Sequence, residues 1–128
     1  MAGRKHKSFV AVVEDDFGVR HAVLELLRSY DIEARGFPSA ERFLRSQQRF
    51  LADCLIVDMR LPGMTGLELL RALQAGGLRI PVICSTAEAD PDGRVRRDLM
   101  QAGATAVLGK PFDTGQLLAL LGTVRKPR

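Results

Sequence analysis

Four short runs in this chain are almost purely apolar: Phe9-Val10-Ala11-Val12-Val13, Cys54-Leu55-Ile56-Val57, Val82-Ile83-Cys84 and Ala106-Val107-Leu108. None has the polar alternate face of a strand that meets water on one side. Strands read this way when helices cover both faces of a parallel sheet. A weaker fifth run, Ile32 to Arg35, suits an edge position. Between the runs, apolar residues fall at helical spacing: Val23, Leu26, Leu27 and Tyr30, then Leu67, Leu70 and Leu73, and later Leu117, Leu120, Leu121 and Val124. The punctuation agrees. Ser39 suits the N-cap of a second helix, Thr65 with Glu68 has the pattern of a capping box for a third, and Asp113 with Gln116 starts a fifth in a similar way. Gly76-Gly77 and Gly103 close the third and fourth helices.

The expected order is strand then helix, five times over, with right-handed crossovers. That is an open, doubly wound α/β fold with a five-stranded parallel sheet and five helices. A chain of 128 residues, 46% of them hydrophobic, suits one such domain and is too short for two. The expectation is therefore a single domain over 1–128 with its core at about 8–124 and basic tails at both ends, Arg4, Lys5 and Lys7 and then Arg125, Lys126 and Arg128. No run approaches the roughly 20 apolar residues of a membrane span. The polar, basic start from Met1 to Lys7 does not read as a secretory leader, so a soluble, cytoplasmic protein is expected. Cys54 and Cys84 lie within apolar runs and read as buried, reduced thiols. The formal net charge of +4 raises the question of an acidic partner, but tails of this kind are commonly just solvated. With one Tyr, no Trp and phenylalanines that mostly read as core, the chain also lacks stacking aromatics, so nucleic acid is not expected as a partner of this chain alone.

In open α/β sheets the ligand site lies outside the carboxyl ends of the strands, near a topological switch point. Glu14-Asp15-Asp16 follow the first run, Asp58 the third, Ser85-Thr86-Ala87 the fourth and Gly109-Lys110-Pro111-Phe112 the fifth. Several carboxylates at one sheet edge repel unless a cation or protons compensate them. Mg²⁺ (or Mn²⁺) is the natural compensation, because it takes oxygen ligands and is typically held by one or two carboxylates plus a phosphate. A carboxylate flanked by a metal, a lysine and a hydroxyl can accept a phosphoryl group, since those groups neutralise the transferring oxygens. Pro111 restricts the residues before it and so aims Lys110.

From about Ser8 to Val124 the chain resembles a response-regulator receiver domain of two-component systems. The resemblance rests on Val13-Glu14-Asp15-Asp16, on Leu55-Ile56-Val57-Asp58-Met59-Arg60-Leu61-Pro62-Gly63-Met64-Thr65-Gly66, on Ser85-Thr86-Ala87 and on Lys110-Pro111-Phe112, in order at successive strand ends. It implies a flavodoxin-like sheet of order 2-1-3-4-5. It implies Asp58 as phospho-acceptor, Mg²⁺ on Asp15 and more directly on Asp16, the Arg60 backbone carbonyl as a further ligand, Lys110 on the phosphoryl group and Thr86, with Ala87 beside it, as the switch. It also implies a cis bond before Pro111, a sensor histidine kinase or histidine phosphotransfer protein as phosphodonor, and a homodimer or downstream protein meeting the fourth helix, fifth strand and fifth helix. Arg94, Arg96 and Arg97 on the fourth helix suit such a surface. The segment from Asp58 to Leu70 is similar to receivers of nitrogen-fixation-type transcriptional regulators. One departure is that Val107 stands three residues before Lys110, where receivers usually carry Tyr or Phe, so an aromatic swing is not available.

Two other expectations follow from the ends and edges of the pattern. The chain ends soon after the fifth helix, which reads either as a receiver without an output domain or as one cut from a longer regulator. An aspartate-dependent phosphohydrolase would need a second acid or base two residues after the nucleophile, and position 60 is Arg, so turnover of phosphoesters is not expected. A receiver that signals by binding alone is the remaining alternative. His21, among charged neighbours, reads as solvated; Met59, Met64 and Met100 read as packing; Glu88 and Arg60 flank the pocket.

Overall fold

Alternate residues along each apolar run enter opposite cores, which is the reason these runs carry no polar face. A computed structural model describes residues 8–86, 90–111 and 113–125. In chain order the elements are β1 (Phe9–Val13), α1 (Phe17–Ser29), β2 (Ala34–Phe37), α2 (Ala40–Arg45), a short 3-10 helix (Gln47–Leu51), β3 (Ala52–Asp58), α3 (Gly66–Ala75), β4 (Val82–Thr86), α4 (Arg94–Gln101), β5 (Ala106–Gly109) and α5 (Thr114–Val124). The strands form one parallel sheet of order β2-β1-β3-β4-β5, as expected. Phe9, Ala11, Val13, Leu55, Val57, Cys84 and Val107 face one core, shared with Phe43, Leu69, Leu73 and Leu99 of α2, α3 and α4. Val10, Val12, Cys54, Ile56, Ile83 and Leu108 face the other, closed by Leu27 of α1 and Leu117 and Leu121 of α5. Each fully buried side chain of this size stabilises the fold by about 1.5–3 kcal/mol.

The helix starts follow the predicted punctuation. Ser39 Oγ accepts from the Arg42 amide at 3.1 Å, Thr65 and Glu68 form the reciprocal capping box, and Asp113 accepts from the Gly115 amide at 3.1 Å. The edge strand differs from expectation by two residues. Ile32 donates its amide to the Leu27 carbonyl at 3.0 Å, just after Asp31 adopts a left-handed φ of 61°, so the end of α1 takes that amide and the strand begins at Ala34. Met59 and Met64 pack against the core, whereas Met100 is 42% exposed on α4. Cys54 and Cys84 are free and buried, and burial pushes both thiols up to about 12. No helix among the described residues is long and apolar enough to cross a membrane.

Candidate functional site at the carboxyl ends of the strands

Among the described residues four polar side chains are buried, Glu14, Asp58, Ser85 and Thr86, and all of them lie at the carboxyl ends of β1, β3 and β4. A buried polar group is costly unless partnered, so such a concentration marks a built site. The parallel register sets Asp58 beside Ser85 and Thr86 beside Gly109, and the Lys110 amide donates to the Thr86 carbonyl at 2.8 Å. Lys110 is thus delivered from the end of β5, and the Lys110–Pro111 peptide is cis. Its Nζ reaches Asp58 Oδ2 at 3.2 Å and Glu14 Oε1 at 3.3 Å. The other Asp58 oxygen, Oδ1, accepts from the Arg60 amide at 3.1 Å.

The acidic partners differ from the expected pair by one residue. Glu14, Asp15 and Asp58 bring ligand oxygens within 4.8 Å of one another. Asp16 does not join them, because its Oδ1 accepts from the Val19 amide at 3.0 Å and caps α1. Its own amide donates to Glu14 Oε2 at 3.1 Å, which turns the glutamate inward. Asp16 therefore shapes the pocket through its backbone, and Glu14 stands at the inner place for which the sequence reading named Asp16. Burial drives the Glu14 carboxyl up; the Asp16 amide opposes this, the Asp58 charge adds to it and Lys110 lowers it in part. Burial pulls the Lys110 ammonium down, but hydrogen bonding and charge from Asp58, then Glu14, outweigh it and leave it raised. Three carboxylates thus cluster where one ammonium, Lys110, pairs with Glu14 and Asp58. This excess of negative charge, all of it on oxygen donors, fits a hard divalent cation such as Mg²⁺ or Mn²⁺.

Two supports were not foreseen. Glu41 on α2 accepts from the Met64 amide at 2.9 Å and so anchors the loop after Asp58, where Gly63 turns with a φ of 73°. Arg20 on α1 donates to the Glu14 carbonyl at 2.7 Å. A glycine flanked by a helix that carries an acid is too weak a signal to find the first from sequence, and nothing local points to the second.

A family model described as the response regulator receiver domain matches residues 10–122. The chain belongs to the response regulator receiver family. It is 38% identical over 112 residues to nodulation protein W of Bradyrhizobium diazoefficiens, covering 88% of this chain and 48% of that protein. It is 36% identical over 110 residues to the transcriptional regulatory protein FixJ of Azorhizobium caulinodans, covering 86% of this chain and 51% of that one. The structure of the response regulator StyR superposes with a TM-score of 0.83 at 39% identity, covering 94% of this chain and 60% of that chain. The receiver spans about half the length of the curated relatives it matches. These relationships bear out the resemblance to response-regulator receivers and the flavodoxin-like fold.

On the far side of the receiver pocket, Val107 is buried in the core at 6% exposure. Its carbonyl accepts from Arg96 Nη2 of α4 at 3.1 Å. Asp90 holds the start of the same helix, accepting from the Val95 amide at 2.9 Å and the Arg96 amide at 3.1 Å. Pro111 and Arg60 lie on the exposed rim, and Ala87, Glu88 and Phe112 lie outside the described residues, as do the tails before Ser8 and after Arg125.

Proposed function

We propose that this receiver, acting as one unit with its core at about 8–124, is a phosphorylation-dependent signalling switch whose acceptor is Asp58. The observation that carries this reading is the Asp58 carboxylate itself: it is 8% exposed, its Oδ2 is 3.2 Å from Lys110 Nζ, and it shares a pocket with Glu14 and Asp15. The donor is a phosphohistidine on a sensor kinase or phosphotransfer protein. A carboxylate oxygen of Asp58 bonds to phosphorus while the phosphorus–nitrogen bond breaks and the imidazole leaves. Glu14, Asp15, Asp58 and the Arg60 carbonyl would hold Mg²⁺ or Mn²⁺, which would supply neutralising charge for the phosphoryl oxygens. The Arg60 amide orients the acceptor, and Lys110 exchanges its Asp58 contact for the incoming phosphoryl oxygens.

The switch lies on Thr86 at the end of β4. Ala87, next in sequence, is proposed to share this role. With Val107 in place of an aromatic residue, readout rests on backbone movement after Thr86, passed to α4 by its Asp90 and Arg96 contacts. The surface of α4, β5 and α5, with exposed Met100 and the Arg94 and Arg97 side chains, is the place for a second copy or a downstream protein. A cytoplasmic location fits a donor of this kind.

Intact mass after incubation with phosphoramidate or acetyl phosphate, with and without Mg²⁺, tests the reading. A single metal-dependent phosphoryl adduct that Asp58→Asn abolishes is the expected result. An adduct that persists in Asp58→Asn overturns the acceptor assignment, and the absence of any adduct turns the reading to a receiver that signals by binding alone.

A further inference from the structure

The acidic loop between β1 and α1 has to hold two carboxylates near each other, and the Asp16 amide on Glu14 Oε2 does part of this. Arg20, one turn into α1, adds side-chain contacts to the loop backbone. Its Nη1 donates to the Glu14 carbonyl at 2.7 Å and approaches the Asp15 carbonyl at 3.4 Å. The charged donor makes the Glu14 contact stronger than an ordinary amide contact, while the longer Asp15 contact is weaker. The side chain is also accommodated by the fold. Gly36 on the edge strand β2 lies under its stem: a Cβ there would stand 3.0 Å from Arg20 Cδ and 3.1 Å from Cγ, besides 2.9 Å from Leu24 Cδ1. Gly36 is not among the positive-φ glycines, which are Gly63, Gly77, Gly93 and Gly103. Its backbone therefore does not require glycine, and a glycine within a strand otherwise weakens it. The space is what the position provides. The Phe17 ring, 5.5 Å from the guanidinium carbon, gives the charged group a further contact.

We propose that Arg20 is a positioning residue of the phosphorylation site, holding the Glu14 and Asp15 backbone so that their carboxylates converge with Asp58, and that Gly36 exists to admit its stem. The inference rests on the reading that this acidic cluster holds the divalent ion. Arg20 acts through two carbonyls and not as a ligand, and the sign of its effect separates positioning from simple charge. A cation near a divalent ion repels it, so on charge alone Arg20→Gln would tighten metal binding. Positioning requires the reverse.

The test uses the full chain with Mn²⁺ as probe, free ion read by electron paramagnetic resonance, and hydrogen exchange at the Asp16 amide in metal-free protein, where Glu14 Oε2 protects it at 3.1 Å. Arg20→Gln is expected to raise the Mn²⁺ Kd about tenfold, the lower end of what outer contacts to metal ligands usually contribute. It should also speed Asp16 exchange without metal. Arg20→Lys should recover part of both, and Gly36→Ala, which crowds the stem while leaving the guanidinium in the chain, should shift both the same way by less. Unchanged or tighter Mn²⁺ binding in Arg20→Gln, with unchanged Asp16 exchange, overturns the proposal alone. Failure of the unaltered chain to bind Mn²⁺ overturns the reading of the cluster and this proposal with it.

Discussion

The two ends of the sheet handle buried charge in opposite ways. At the carboxyl ends, Glu14, Asp15 and Asp58 cluster, and the Lys110 ammonium reaches Glu14 and Asp58. At the amino end of β3, Asp53 meets Arg125, just past α5, in a fork of 3.0 and 2.9 Å with one charge for one charge. The two cations are comparably shielded, with Lys110 at 22% and Arg125 at 25% side-chain exposure, but the carboxylates are not: Glu14 and Asp58 are 7% and 10% exposed, Asp53 21%. Deeper burial of the acids at the carboxyl ends goes with a difference in balance. The Arg125 fork is satisfied by the fold itself, whereas the acidic pocket keeps an excess of negative charge that a bound cation or a proton would relieve.

Four experiments would break or sharpen this contrast. The largest effect belongs to Asp58→Asn, whose loss of the phosphoryl adduct is described above. Next, Lys110→Ala should slow phosphoryl uptake by about 100-fold, the scale of removing one charge-stabilising donor; uptake followed by mass against time checks this, and a rate close to that of the unaltered chain would mean the lysine is not in the reaction. Third, Glu14→Gln should change how the metal-free protein responds to pH. Because the Glu14 carboxyl is raised, chiefly by burial, the folded chain holds that proton more tightly than the unfolded chain does. From the ordinary carboxylate value of about 4.3 upward, through the raised folded value, stability in EDTA should fall as pH rises. Glu14→Gln should flatten that fall, and urea midpoints across the window measure it. Mg²⁺ should restore more stability to the unaltered chain than to the variant. The smallest effect is expected of Arg125→Ala, about 1 kcal/mol of stability by urea titration. Its phosphoryl uptake should not change, and a loss like that of Lys110→Ala would erase the distinction between the two ends.

Much of this was legible before any coordinates. The apolar runs have no polar face because both faces are buried, and that alone implies parallel strands, intervening helices and a site at the carboxyl ends. Asp58 and Lys110 follow directly, since each is the polar residue at the mouth of a buried strand or one step past it. The caps at Ser39 and Thr65 were equally readable, because a cap is a bond between residues three apart. The edge strand was misplaced by two residues because the end of α1 competes for the Ile32 amide, a contest that periodicity does not register.

The acids after β1 show where such reading ends. Glu14, Asp15 and Asp16 are adjacent and chemically alike, and family likeness placed the metal on the second and third. Their division of labour depends on orientation: Asp16 has a local donor in the Val19 amide, and Glu14 is turned inward toward Lys110, 96 residues away in sequence. The Asp53–Arg125 fork spans 72 residues, and the seat for Arg20 is a missing Cβ on another strand. The order of elements and the placing of Asp58 and Lys110 at strand ends were determined by the sequence, because burial pattern and strand ends are local properties. Which carboxylate faces the pocket, and what holds it there, was decided only by the tertiary structure, because those contacts join residues that only folding brings together.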